Sequence, residues 1–110
     1  MGSPSHGWTF LSNHGHVLVS LGADPDARMR DIAAQVGITE RAVQMIVADL
    51  EEAGYVLRQR VGRRNRYTVV RQGRFRHPLE EHVRVGEFLD LVVGEGAPRT
   101  APDGEPARGA

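Results

Sequence analysis

Eight arginines between positions 58 and 76 are the residues whose type and spacing most directly indicate a chemistry. This segment contains no acid, so its formal charge is +8, although the 14 basic and 14 acidic residues of the whole chain cancel. Guanidinium groups bind phosphate and carboxylate through paired hydrogen bonds. The flanks, 1–57 and 77–110, each carry a formal charge of −4. Charge segregated in this way predicts a cationic surface for an acidic partner. The alternative, a solvated segment that merely uses arginine, stays open.

The histidines and paired carboxylates favour neither a metal site nor a catalytic site. His14 and His16 are two positions apart, a spacing that puts them on different faces of a helix. The adjacent glutamates at 51–52 and 80–81 also point apart on helices. There is no cysteine, and no phosphate-binding glycine loop or nucleophile elbow can be recognised. We therefore expect no enzyme, no metal and no cofactor.

Three amphipathic helices are predicted in the first half of the chain. Ser12 can cap the first, Gly37 ends a second that spans about 30–36, and Thr39 can cap a third of about 39–53. The third helix carries an apolar stripe at i, i+3, i+4 and i+7, formed by Val43, Ile46, Val47 and Leu50. Two short helices joined by a tight turn form a helix-turn-helix, whose second helix can enter a DNA major groove.

The arginine-rich segment is positioned by a predicted β-hairpin. Residues 57–61 and 66–70 alternate apolar with polar or cationic side chains, and residues 62–65 (Gly-Arg-Arg-Asn) form the turn. The alternation predicts one apolar and one cationic face, and a short strand near Met29 could add to the hairpin. A helix-turn-helix followed by such a hairpin is a winged helix. The expected fold is mainly α with a small antiparallel β-hairpin.

A further helix is predicted at 79–93, with His77 as its cap and Pro78 at its first turn. Its apolar side chains cover more than one packing face, which predicts a dimerisation helix. The expected interface residues are Leu79, Val83, Phe88, Leu89 and Val92. Residues 1–11 are expected to form an N-terminal arm, 12–93 the winged domain, and 94–110 a disordered tail because they contain seven Gly or Pro and no large apolar side chain.

The stretch MRDIAAQVGITERAVQMIVADLEEAGYVLRQRVGRRNRYTV resembles the winged helix-turn-helix of bacterial transcriptional regulators of the MarR-like and ArsR-like group. The matching features are Ile32-Ala33, the Gly37-Ile38-Thr39 turn, Val43 with Leu50-Glu51, and Gly54-Tyr55-Val56. This resemblance implies that DNA is contacted by Thr39, Arg41, Gln44 and Met45 in the third helix and by Arg63, Arg64 and Arg66 in the wing. Many such regulators carry a cation at the position of Met45, which can make only apolar contacts, for example with a thymine methyl group.

The function expected from this resemblance is that of a sequence-specific DNA-binding transcriptional regulator that acts as a homodimer on double-stranded DNA. Two alternatives stay open: a winged helix that binds protein instead of DNA, and a small-ligand sensor of the same fold. No apolar run approaches membrane-spanning length, and a cytoplasmic location is expected.

Overall fold

Four helices and one antiparallel hairpin make up residues 7–94, the part of the chain that the computed structural model describes. In chain order they are α1 (Asn13–Ala23), α2 (Met29–Val36), α3 (Glu40–Glu52), β1 (Val56–Val61), β2 (Arg64–Val69) and α4 (Val85–Val93). The predicted mainly α fold with a small β-hairpin is confirmed. Residues 1–6 and the predicted tail from residue 95 onward lie outside the described range.

The ends of the first three helices follow the local signals in the sequence. Ser12 Oγ accepts a hydrogen bond from the Gly15 amide at 3.2 Å, and Thr39 Oγ1 accepts one from the Ala42 amide at 3.0 Å. Both cap a helix start by satisfying an amide that has no partner within the helix. Gly37 ends α2 with a φ of 88°, in the left-handed region that glycine adopts without strain.

The core forms where the apolar faces of these elements meet. The buried stripe of α3 is the predicted one, and it packs together with side chains from α1, α2, the hairpin and α4. The buried residues are Val17, Leu18, Leu21, Ile32, Ala33, Val43, Ile46, Val47, Leu50, Val56, Tyr67, Val69, Val85 and Leu89. No polar or charged residue is buried in the described range. The exposed faces of α2, α3 and the hairpin are therefore free to carry the polar chemistry.

The hairpin turn is shorter than predicted, which changes the pairing of the strands. Gly62 and Arg63 form a two-residue turn, so β2 begins at Arg64. The pairs are Val56–Val69, Leu57–Thr68, Arg58–Tyr67, Gln59–Arg66, Arg60–Asn65 and Val61–Arg64. Because paired residues share a face, Leu57 and Val61 lie on one face and Tyr67 on the other. The prediction of one apolar and one cationic face is wrong.

The two edges of the hairpin differ. On the outer side of β2, the Tyr67 amide donates a hydrogen bond to the Pro25 carbonyl at 3.3 Å. The predicted strand near Met29 is not present, since Met29 begins α2 and this single backbone bond stands in its place. The outer edge of β1 pairs with no further strand in the described residues, and every β1 residue after Val56 is exposed.

Helix α4 begins at Val85, six residues later than predicted. The connector after β2 folds back instead: Arg74 and Arg84 form an isolated antiparallel bridge, and the Val85 amide donates to the Gly73 carbonyl at 2.8 Å. These long-range bonds hold the segment between them in successive turns, in which His77 Nδ1 accepts from the Leu79 amide at 3.0 Å. The amide of Arg84 donates to Glu87 Oε1 at 3.1 Å at the true helix start.

Helix α4 is held to the rest of the domain by side-chain contacts with Arg71 and with α1. Arg71 Nη2 donates to Asp90 Oδ1 at 2.9 Å and to the Gly86 carbonyl at 3.2 Å. The Leu89 side chain also lies so close to Gly22 of α1 that a Cβ on Gly22 would come within 2.8 Å of Leu89 Cδ1. The helix is therefore an integral part of the domain core.

Candidate nucleic-acid interface

The side of α3 opposite its buried stripe is a continuous exposed face. It carries Arg41, Gln44, Met45 and Ala48, which follow the same i, i+3, i+4, i+7 spacing two positions before the core residues. Met45 is 61% exposed. The hydroxyl of Thr39 is engaged as the helix cap. This face offers a cation, an amide and an apolar group in a single row.

The wing projects Arg63 at its turn. Arg63 is exposed, and it makes no ion pair or side-chain hydrogen bond within residues 7–94. Its neighbour Arg60 donates from Nε to the Gly62 carbonyl at 3.1 Å and so supports the turn. Of the wing arginines predicted to contact DNA, Arg63 alone has no guanidinium atom bonded to another of the described residues.

The other wing arginines are tied to neighbouring elements. Arg64 Nη2 donates to the Asp26 carbonyl oxygen at 2.6 Å, and Arg66 Nε lies 3.4 Å from Asp26 Oδ1. Arg58 Nε lies 3.4 Å from Glu51 Oε2 of α3. The formal charge of +8 for residues 58–76 is therefore partly neutralised by acids outside the segment.

A depression of about 340 Å³ joins the wing to the starts of α2 and α3. Its lining residues are Ala27, Arg28, Met29, Arg30, Glu40, Arg64, Asn65 and Tyr67. Arg28 and Arg30 are exposed and have no acidic partner in the described part of the chain. Sequence reasoning missed both, because they flank a helix start well outside the arginine-rich segment. The depression shows that the start of α3 and the wing lie on the same side of the domain.

The model of the MarR family matches residues 7–66, more than half of the chain. The chain belongs to the MarR family. The match covers the helix-turn-helix and runs into β2, while α4 lies beyond it. The resemblance inferred from the turn and wing residues is thus confirmed, and membership indicates a transcriptional regulator. No curated protein matches the sequence significantly.

On another part of this MarR domain, an open groove of about 1140 Å³ runs between α1, the end of α3 and the connector before α4. Aromatic side chains at its surface include Phe10, Phe75 and Phe88. At one side, His14 Nε2 lies 2.9 Å from Asp49 Oδ2. Residues 7–94 contain no group of three or more His, Cys, Asp or Glu side chains arranged to hold a metal ion. None of the described helices is long and apolar enough to span a membrane.

The residues predicted to form a dimer interface fall into three environments in the MarR domain. Leu79 and Val92 are exposed, whereas Val83 and Phe88 are half-buried, and Phe88 stacks edge-on against Phe75 with ring centroids 5.4 Å apart. The expectation for Leu89 needs correction, because it is 3% exposed within the core of a single protomer and unavailable to a second copy.

Leu91, which the sequence reasoning did not select, is 86% exposed. It lies on α4 next to Val92, so the apolar surface that this helix leaves uncovered is displaced from the predicted face.

Proposed function

We propose that this protein is a sequence-specific DNA-binding transcriptional regulator that places α3 in the major groove and its wing on the adjacent backbone or minor groove. The observation that carries the proposal is the position of the exposed α3 face, the wing and the depression lined by Arg28 and Arg30 on one side of the domain. A helix with a free polar face and flanking cations is the arrangement that winged helix-turn-helix proteins use to read a duplex.

The α3 face supplies the contacts that would distinguish bases. The Gln44 amide can pair with the N6 and N7 edge of adenine, and the Met45 side chain can contact a thymine methyl group. Arg41 can reach guanine or a phosphate. Glu40 stands at the start of the helix, where it accepts from cytosine or disfavours a nearby phosphate. Sequence preference is therefore assigned mainly to Gln44 and Met45.

The affinity is assigned mainly to the arginines around the wing. Arg63 at the turn and Arg28 and Arg30 beside the depression present cations without acidic partners in the described residues. Each phosphate that they neutralise releases counterions and adds about 0.9 to the slope of log affinity against log salt concentration. Binding should therefore be strong at low ionic strength and weaken steeply with salt.

We also propose that the protein binds as a homodimer. One helix-turn-helix covers one half-site, and two-fold dimers are the usual way to read a complete site. The exposed apolar residues Leu79, Leu91 and Val92 at and before α4 supply the surface for a second copy.

The test is selection of bound duplexes from random DNA, followed by affinity measurements across a salt series. Arg63→Ala should flatten the salt slope by about 1.8 for a dimer, one contact in each protomer. Gln44→Ala should change the selected sequence and leave the slope nearly unaltered. Arg76→Ala is the matched control, because Arg76 is an exposed arginine that lines the distant groove.

If the wild-type protein binds no duplex even at low ionic strength, the DNA-binding proposal fails. Equal slopes for Arg63→Ala and Arg76→Ala would instead show that DNA binds at a different surface.

A further inference from the structure

We propose, building on the proposed function, that Asp26 is a positioning residue for DNA binding: it holds two wing arginines in place for the duplex. Asp26 lies in the turn between α1 and α2. Its carbonyl oxygen accepts from Arg64 Nη2 at 2.6 Å, and its carboxylate lies 3.4 Å from Arg66 Nε. One residue thus contacts two arginines of β2 through its backbone and its side chain.

The turn that carries Asp26 is itself firmly held. Asp24 Oδ1 accepts from the Asp26 amide at 3.0 Å, and the Asp24 carbonyl accepts from the Ala27 amide at 3.1 Å. Between them, Pro25 is buried and its carbonyl accepts from the Tyr67 amide of β2. The turn therefore provides a fixed support for β2, attached at Arg64, Arg66 and Tyr67.

The geometry at Arg66 leaves its outer end available. Its Nε atom is shielded from solvent and makes no hydrogen bond, so the ion pair with the Asp26 carboxylate is what holds it, while the side chain as a whole is 39% exposed. Neither Nη atom has a hydrogen-bond partner within residues 7–94. An arginine held at Nε in this way keeps both Nη groups for a phosphate, the bidentate contact that guanidinium groups favour. Asp26 thereby orders the side chain before DNA arrives.

The Asp26 carboxylate could position an arginine or could simply repel phosphate. These two roles predict opposite changes in DNA affinity when the carboxylate is removed. An acid beside a phosphate-binding arginine lowers affinity by repulsion, so its loss alone should tighten binding. Loss of an ordering contact should weaken binding, by about two- to tenfold for each side chain that must then be immobilised on the DNA. The sign of the change therefore distinguishes the two roles.

The experiment compares Asp26→Ala, Asp26→Asn and Asp31→Ala with the wild type, on the duplex selected for the wild type and across a salt series. Asp31 is the matched control, because it is an exposed acid in the first turn of α2 with no side-chain partner among the described residues. We expect Asp26→Ala to bind about two- to tenfold more weakly per protomer, and Asp31→Ala to bind as tightly as the wild type or more tightly. Asp26→Asn keeps the size of the side chain but removes the charge that pairs with Arg66, so it should also bind more weakly than the wild type.

Two further measurements exclude a merely structural effect. Thermal melts show whether each variant is folded at the binding temperature. In an Arg66→Ala background, Asp26→Ala should no longer weaken binding, since the effect acts through Arg66. The inference is overturned if Asp26→Ala still weakens binding in the Arg66→Ala background, or if Asp26→Ala binds as tightly as Asp31→Ala. Either result would leave the DNA-binding proposal intact. If Asp26→Ala does not fold, Asp26→Asn decides, and binding as tight as the wild type or tighter overturns the inference. A wild-type protein that binds no duplex overturns both proposals.

Discussion

Replacing Leu89 with alanine is expected to destabilise the domain severely, whereas the same change at Leu91 is not. The two leucines are two positions apart on α4, but Leu89 is 3% exposed and Leu91 is 86% exposed. The cost of removing a buried leucine is about 2–5 kcal/mol, and it depends on how far the site can collapse. Here the Leu89 methyl groups fill the space directly above Gly22, so the cavity can close only if α1 and α4 move together. Arg71 holds α4 through Asp90 and Gly86 and opposes that movement.

We therefore expect a loss of roughly 3–4 kcal/mol in the free energy of unfolding for Leu89→Ala. For a domain of this size, each kcal/mol corresponds to roughly 4–8 °C, so Tm should fall by roughly 12–30 °C. Urea and thermal unfolding followed by circular dichroism provide the measurement. Leu91→Ala should stay within about 0.5 kcal/mol of the wild type when both are measured as monomers.

The outcome that would refute this reasoning is equal stability of the two variants at low protein concentration, because it would show that α4 does not pack against α1. Sedimentation across a concentration range separates core packing from association. If the exposed surface of α4 binds a second copy, Leu91→Asp should lower the average mass without lowering the Tm of the monomer. Leu89→Ala should instead lower the Tm of the monomer without lowering the average mass.

Two substitutions in the turn of the helix-turn-helix should have smaller, independent effects. Thr39→Ala removes the cap that accepts from the Ala42 amide and should cost about 1 kcal/mol in urea unfolding, whereas Thr39→Ser should restore most of it. Gly37→Ala should cost roughly 1–2 kcal/mol because φ is 88° at this position; no atom lies within 4 Å of the added Cβ, so the cost would come from backbone strain and not from a clash. If Gly37→Asn is no less destabilising than Gly37→Ala, backbone strain is not the cause of the lost stability.

The helix-turn-helix could be predicted because its signals are local. An apolar stripe indicates which face of α3 is buried, and it consists of Val43, Ile46, Val47 and Leu50. The residue type of Thr39 indicates the helix cap. Each signal spans one or two helical turns, so no knowledge of the rest of the fold is needed. Once the buried face is known, the opposite face of the same helix can be deduced to be the exposed one, and it carries Arg41, Gln44 and Met45.

The wing and the C-terminal segment were harder to predict because long-range bonds decide them. The start of α4 is displaced to Val85 by backbone bonds to the connector, which the capping pattern at His77 does not reveal. The partners of Arg64 and Arg66 lie about forty positions earlier, at Asp26. A count of charges within residues 58–76 could not include an acid supplied from the turn between α1 and α2.

The outer edge of β1, which no other strand covers within residues 7–94, has a consequence for the solubility of the protein. Apart from Val56, this strand is exposed along its length, including the apolar side chains of Leu57 and Val61. A free edge of this kind is a template on which strands of other molecules can add, and charged side chains on it prevent the addition by repulsion. Arg58 and Arg60 alternate with those apolar residues, so two edges brought together would oppose cation to cation. Variants that neutralise both arginines would remove this protection, and we expect such variants to aggregate on concentration even when they remain folded.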